Sequence, residues 1–138
     1  MVVSRWGEPR ATTDVDATVL ALLRRKFPSR DADPAHRAEV GRLALLTASN
    51  GVKLDVSFAA FPFEREVLER ATPWSILPDR AVATCSAEDL VIYKLVAARP
   101  LDLVDVANIV YRQGRGLDAA RIRRWGSIFA EIAIRFAD

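Results

Sequence analysis

Cysteine and histidine are almost absent from this chain of 138 residues, and no apolar run approaches the ~18 residues of a membrane-spanning helix. Cys85 is the only cysteine, which excludes an internal disulfide; it closes an apolar stretch, where a lone thiol behaves as a small inert hydrophobe, and it is set aside as a nucleophile. His36 is the only histidine, lies in a polar segment expected to be exposed, and is set aside as an acid–base group or metal ligand. The start MVVSRWGEPR lacks the long apolar stretch of a secretory signal, so the expected compartment is the cytoplasm. Repeats, low-complexity tracts and domain linkers are also missing. So is a strong charge: 20 basic against 18 acidic side chains leave +2, which permits a polyanionic partner without demanding one.

What is present is the composition of an ordinary globular protein, 51% hydrophobic and 28% charged, over a length suited to a single domain spanning residues 1 to 138. From Thr13 to Leu20 the side chains alternate, with Asp14, Asp16 and Thr18 on one face of an expected strand and Val15, Ala17 and Val19 on the other. Asp33 is a candidate helix cap with Pro34 in the first turn. LALLTAS and VKLDVSF flank Asn50-Gly51, which predicts a hairpin with a type I′ turn. In its second strand Val52, Leu54, Val56 and Phe58 point one way and Lys53, Asp55 and Ser57 the other. A short helix is expected from Phe63 to Arg70 and a strand at AVATC. Ser86 should cap a helix that Pro100 ends or kinks; LDLVDVANIVYRQ should form another, and LDAARIRRWGSIFAEIAIRF the last. Strands early and helices in the last third predict an α/β or α+β fold, a sheet backed by helices.

Asp14, Asp16 and Asp55 all fall on polar strand faces. Carboxylates at i and i+2 are only ~7 Å apart and repel one another unless a cation lies between them. Oxygen ligands of this kind suit Mg²⁺, which can neutralise a transferred phosphoryl or nucleotidyl group. An acidic pair on a strand is also, and commonly, no more than a solvated surface.

GEPRATTDVDATV, NGVKLDVSF and CSAEDLVIYKLVAARPLDLVDV, in this order and spacing, resemble the nucleotidyltransferase-like proteins of the polymerase β superfamily, and more narrowly the small bacterial proteins grouped with the AbiEii/AbiGii type toxins. The resemblance runs from about Gly7 to Trp125. It implies a mixed β-sheet core packed by helices, with Asp14, Asp16 and Asp55 as the catalytic and metal-binding acids of a two-metal Mg²⁺ site. The family's E-D-L-x-x-x-K helix is matched by Glu88, Asp89, Leu90 and Lys94, and its R-x-x-D-x-x-D by Arg99, Asp102 and Asp105. By the same resemblance Arg10, Thr12, Lys94, Arg99 and Asp102 border the substrates: a nucleoside triphosphate and a hydroxyl acceptor, RNA or the end of a tRNA, with a cognate antitoxin as protein partner and no membrane. The family's Gly-Gly or Gly-Ser pair, whose backbone approaches phosphate, would fall just before Met1; either the start lies upstream and the first helix is truncated, or the phosphate grip is lost and a non-catalytic binding module remains.

Other residues carry two readings each. Lys94 is a phosphate contact or a snorkelling surface lysine. Arg10 orients phosphate or pairs with Asp14. Asp102 and Asp105, three apart on one helix face, steer the acceptor or pair with Arg99 or Arg112. Arg112, Arg115, Arg121, Arg123 and Arg124, opposed only by Asp118, track an RNA backbone or form a solvated face, which makes an RNA-binding protein a further alternative. Trp6, Trp74 and Trp125 are expected in the core or a lid, and the stripe Ile122, Ile128, Phe129, Ile132 and Phe136 should face core or a partner.

Overall fold

The computed structural model describes residues 21–135, and the fold is of the α+β class. The strand expected from Thr13 to Leu20, Trp6 and Phe136 lie outside the described residues. The chain divides into two compact units, with the boundary between Ala60 and Phe61.

In the first unit helix α1 (Pro34–Gly41) begins as expected: the Asp33 carboxylate accepts from the His36 N–H at 3.1 Å and Pro34 occupies the first turn. Strands β1 (Leu43–Thr47) and β2 (Lys53–Ser57) pair antiparallel, Leu45 opposite Asp55. The turn between them differs from the I′ form. The Gly51 N–H donates to Ala48 O and the Ala48 N–H to Val52 O, and Gly51 has φ +81° while Asn50 stays out of the positive region. This is a three-residue loop, a type I turn closed by a left-handed glycine, so only one of the Asn-Gly pair uses positive φ. The alternation is as expected: Ala44 and Leu46 are buried with Leu54 and Val56 packed beside them, together with Ala38 and Phe58, while Lys53, Asp55 and Ser57 face out. Along the free edge of β1, Ser29 bridges to Leu46 and the Arg30 N–H donates to Leu45 O.

The second unit opens with α2 (Pro62–Arg70), where Glu64 accepts from the Phe61 N–H at 2.9 Å. Strands β3 (Thr72–Leu77) and β4 (Arg80–Thr84) form a second antiparallel hairpin. The described strands thus make two two-stranded sheets, and the mixed sheet implied by the resemblance is not formed by them alone. Helix α3 (Ala87–Ala97) starts on Ser86, whose hydroxyl accepts from the Asp89 N–H at 3.2 Å, and ends on Ala98 in the left-handed region. The helix ends before Pro100, as expected, without a kink, and Pro100 itself opens α4 (Pro100–Gln113). After a 3₁₀ turn over Gly114–Gly116, α5 (Ala119–Arg135) closes the unit. Phe63, Val67, Ile92 and Trp125 form its core, with Cys85, Ile122, Ile128 and Phe129 packed against them; Phe63 meets Trp125 at 5.1 Å and Phe129 at 5.5 Å between ring centroids. Trp74, expected in the core or a lid, is 61% exposed because both faces of its hairpin are open.

Candidate functional site

Asp14, Asp16, Arg10 and Thr12 lie outside the described residues. Asp55 is where its alternation puts it, on the exposed face of β2, and there it forms an ion pair with Arg30. Arg30 is held in place by a second bond, from Nε to Leu46 O at 2.9 Å. The Asp55 side chain is 63% exposed, and its carboxylate oxygens are of the hard type that Mg²⁺ takes. Among the described residues no three His, Cys, Asp or Glu side chains come together as a metal-holding group.

The second half of the motif forms one charge cluster in the other unit. Pro100 restarts the helix immediately after α3, which turns α4 back along it and brings Arg99, Asp102 and Asp105 to Lys94. Lys94 Nζ donates to Asp105 Oδ2 at 2.6 Å and to Asp102 Oδ1 at 3.3 Å. Arg99 grips the same Asp102 with two N–H groups, at 2.5 and 3.2 Å. Asp102 is 4% exposed, so its charge needs these partners. The Arg99 and Lys94 hydrogen bonds hold its carboxyl below the usual carboxylate range, and Asp105, then Asp102, push the Lys94 ammonium up. An ammonium has three N–H donors, and Lys94 retains one beyond these two acceptors.

Lys94 also lines an open groove of about 630 Å³ with Leu90, Asp105, Asn108, Ile109 and Arg112. Its walls combine two cations, the Asp105 carboxylate, two amides and an apolar strip. Neither Asn108 nor Gln113, which also lines it, was singled out from sequence; isolated amides on a helix carry no local signal of a groove.

Asp89, five residues before Lys94 on the same helix, takes part in a separate charge cluster. It is fully buried and accepts from Arg121 Nε at 2.7 Å, while Arg121 Nη1 reaches Glu66 at 2.6 Å and Trp125 Nε1 reaches the same Glu66 oxygen at 3.2 Å. Arg121 lowers the Glu66 carboxyl below its ordinary value. Next to it Glu88 accepts from the Asp118 N–H at 3.1 Å, and Asp118 caps α5 through the Arg121 N–H. The E-D pair is thus the anchor of α5 on α3. Its one signal in the sequence was that Arg121, Trp125 and Ile128 share a helical stripe.

Arg121 is the one of the five carboxy-terminal arginines that departs from a solvated face. Arg121 is 9% exposed because two carboxylates draw it inward, and Arg124 lies over the Trp125 ring at 5.2 Å and 3.5 Å from Glu66. Arg112, Arg115, Arg123 and Arg124 remain exposed. Ile122, Ile128 and Phe129 pack into the core, whereas Ile132 is partly exposed. Among the described residues no helix is long and apolar enough to cross a membrane. No protein-family model and no curated protein matches this chain.

Proposed function

We propose that the chain is a Mg²⁺-dependent nucleotidyltransferase of the polymerase β type, moving a nucleotidyl group from a nucleoside triphosphate to a hydroxyl acceptor, RNA or the end of a tRNA, in a toxin–antitoxin setting. Asp14, Asp16 and Asp55 hold the metal in this reading, and Mg²⁺ when bound neutralises charge on the transferred group. Arg10, Thr12, Lys94, Arg99 and Asp102 border the substrates. The observation that carries it is Lys94: a fully protonated ammonium, aimed by Asp102 and Asp105, with a donor to spare on an open groove that also holds Arg112. A phosphate oxygen is the acceptor such a cation suits.

One observation favours a second reading, a non-catalytic binding module on the same fold. Arg30 occupies the carboxylate of Asp55, and a metal would have to compete with it. Incubation of the purified chain with Mg²⁺, radiolabelled nucleoside triphosphates and total RNA separates the two. The enzyme labels RNA, Asp14→Asn/Asp16→Asn abolishes the label, and Lys94→Ala lowers it by about 100-fold, the scale of one charge-stabilising group. Label undiminished in the double variant removes the mechanism. No label, with nucleotide still bound by calorimetry, establishes the binding module.

A further inference from the structure

The groove beside Lys94 is built from two helix rows. Leu90 and Lys94 sit one turn apart on α3, and Asp105, Asn108, Ile109 and Arg112, at helical spacing, share one face of α4. Its volume of about 630 Å³ is within the usual range of ligand sites. The charges that line it are two cations and one carboxylate. Asp105 is held by Lys94 at 2.6 Å, and the neighbouring Asp102 is gripped by Arg99 and Lys94. Arg112 is different: it is exposed, and among the described residues no carboxylate pairs with it. The groove therefore carries one cation in excess, a guanidinium whose fork of N–H donors suits a phosphate.

We infer that this groove seats one nucleotide of single-stranded RNA, with Arg112 and Lys94 on its phosphodiester, Leu90 and Ile109 against its base, and the Asn108 and Gln113 amides on its ribose and base edge. Charge selects the phosphodiester. A diester carries a single negative charge, which one uncompensated cation matches. A nucleoside triphosphate carries several and comes with Mg²⁺, for which this groove has no spare carboxylate, since Asp102 and Asp105 are both engaged. The amides select RNA. A 2′-hydroxyl donates and accepts, as an amide does, and DNA lacks it. The apolar strip beside the amides gives a base ring a surface to pack on, which a single strand can use and a duplex, with its bases already stacked, cannot. RNA is the acceptor class of the reaction proposed above, so the inference rests on that reading for the role of the bound strand; the binding itself requires neither Mg²⁺ nor Asp14 and Asp16.

Fluorescence anisotropy of a short labelled single-stranded RNA, titrated with the full chain at low salt in EDTA, reads this binding directly. Arg112→Gln should weaken it about 10-fold or more and lower the slope of log affinity against log salt by about one. Asn108→Leu should weaken RNA binding about 10-fold and leave the affinity for DNA of the same sequence unchanged. Both residues are exposed, so the circular dichroism of the two variants should match wild type. Arg123→Gln, at an exposed arginine of α5 away from the groove, should bind as wild type does. So should Asp14→Asn/Asp16→Asn: RNA bound without being labelled counts against the enzyme alone, and labelling with RNA binding indifferent to Arg112 counts against the groove alone. Absence of RNA binding, equal affinity for RNA and DNA, wild-type behaviour of either groove variant, or an equal loss in Arg123→Gln overturns the inference.

Discussion

Asp89 is fully buried in the second unit, with Arg121 at 2.7 Å and Arg70 at 3.9 Å beside its carboxylate. Among the described residues one carboxylate oxygen of Asp89 and one terminal nitrogen of Arg121 have no hydrogen-bond partner. Desolvation of such a pair is costly, and the pair is held in place chiefly because loss of either member is worse. Arg121→Met should therefore destabilise the chain by about 3–5 kcal/mol in urea unfolding, whereas Asp89→Leu/Arg121→Met should recover most of that loss. A double variant as weak as the single one would contradict this account. Asp102 allows a test by pH. Its folded carboxyl lies below its unfolded value, so its contribution is fully present above about pH 4 and disappears as pH falls through the folded value. Asp102→Asn should melt lower than wild type at neutral pH, and the gap should narrow in acid; Lys94, raised in the folded state, contributes at neutral pH and loses its contribution only in strong alkali.

Among the elements, the local signals are strong enough to be tested one residue at a time. Gly51 holds φ +81° with nothing near its missing Cβ, so Gly51→Ala should cost about 1 kcal/mol through backbone conformation alone. Gly41, at the end of α1 and without positive φ, should accept alanine at no cost. Ser86→Ala should cost about 1 kcal/mol by freeing the Asp89 N–H at the start of α3. Thermal unfolding of the three variants checks all of these. The same locality explains which elements were legible. Caps at Asp33 and Ser86, Pro34 and Pro100 in first turns, and the alternation of β2 act within a few residues. Strand β3 was not legible: TPWSIL contains Pro73, has no buried face, and exists through pairing with β4, Trp74 opposite Val82. The sense of α4 was hidden for a related reason. Its periodicity marks an apolar face, but periodicity does not say whether that face or the acidic one turns inward.

For the molecule as a whole, the sequence by itself determined the α+β class, the order of the helices, the hairpin at Asn50-Gly51 and the outward face of Asp55. Each follows from backbone preferences and hydrophobic period over a handful of neighbouring residues. Tertiary structure alone decided which charges meet: Arg30 with Asp55, Lys94 with Asp102 and Asp105, and Arg121 with both Asp89 and Glu66, 32 and 55 residues away. Composition is silent on these pairings, since 20 basic and 18 acidic side chains can be matched in very many ways. Burial of Phe63, Ile92 and Trp125 in one cluster brings Glu66, Asp89 and Arg121 within reach, and the low polarity of that interior turns proximity into a requirement for pairing.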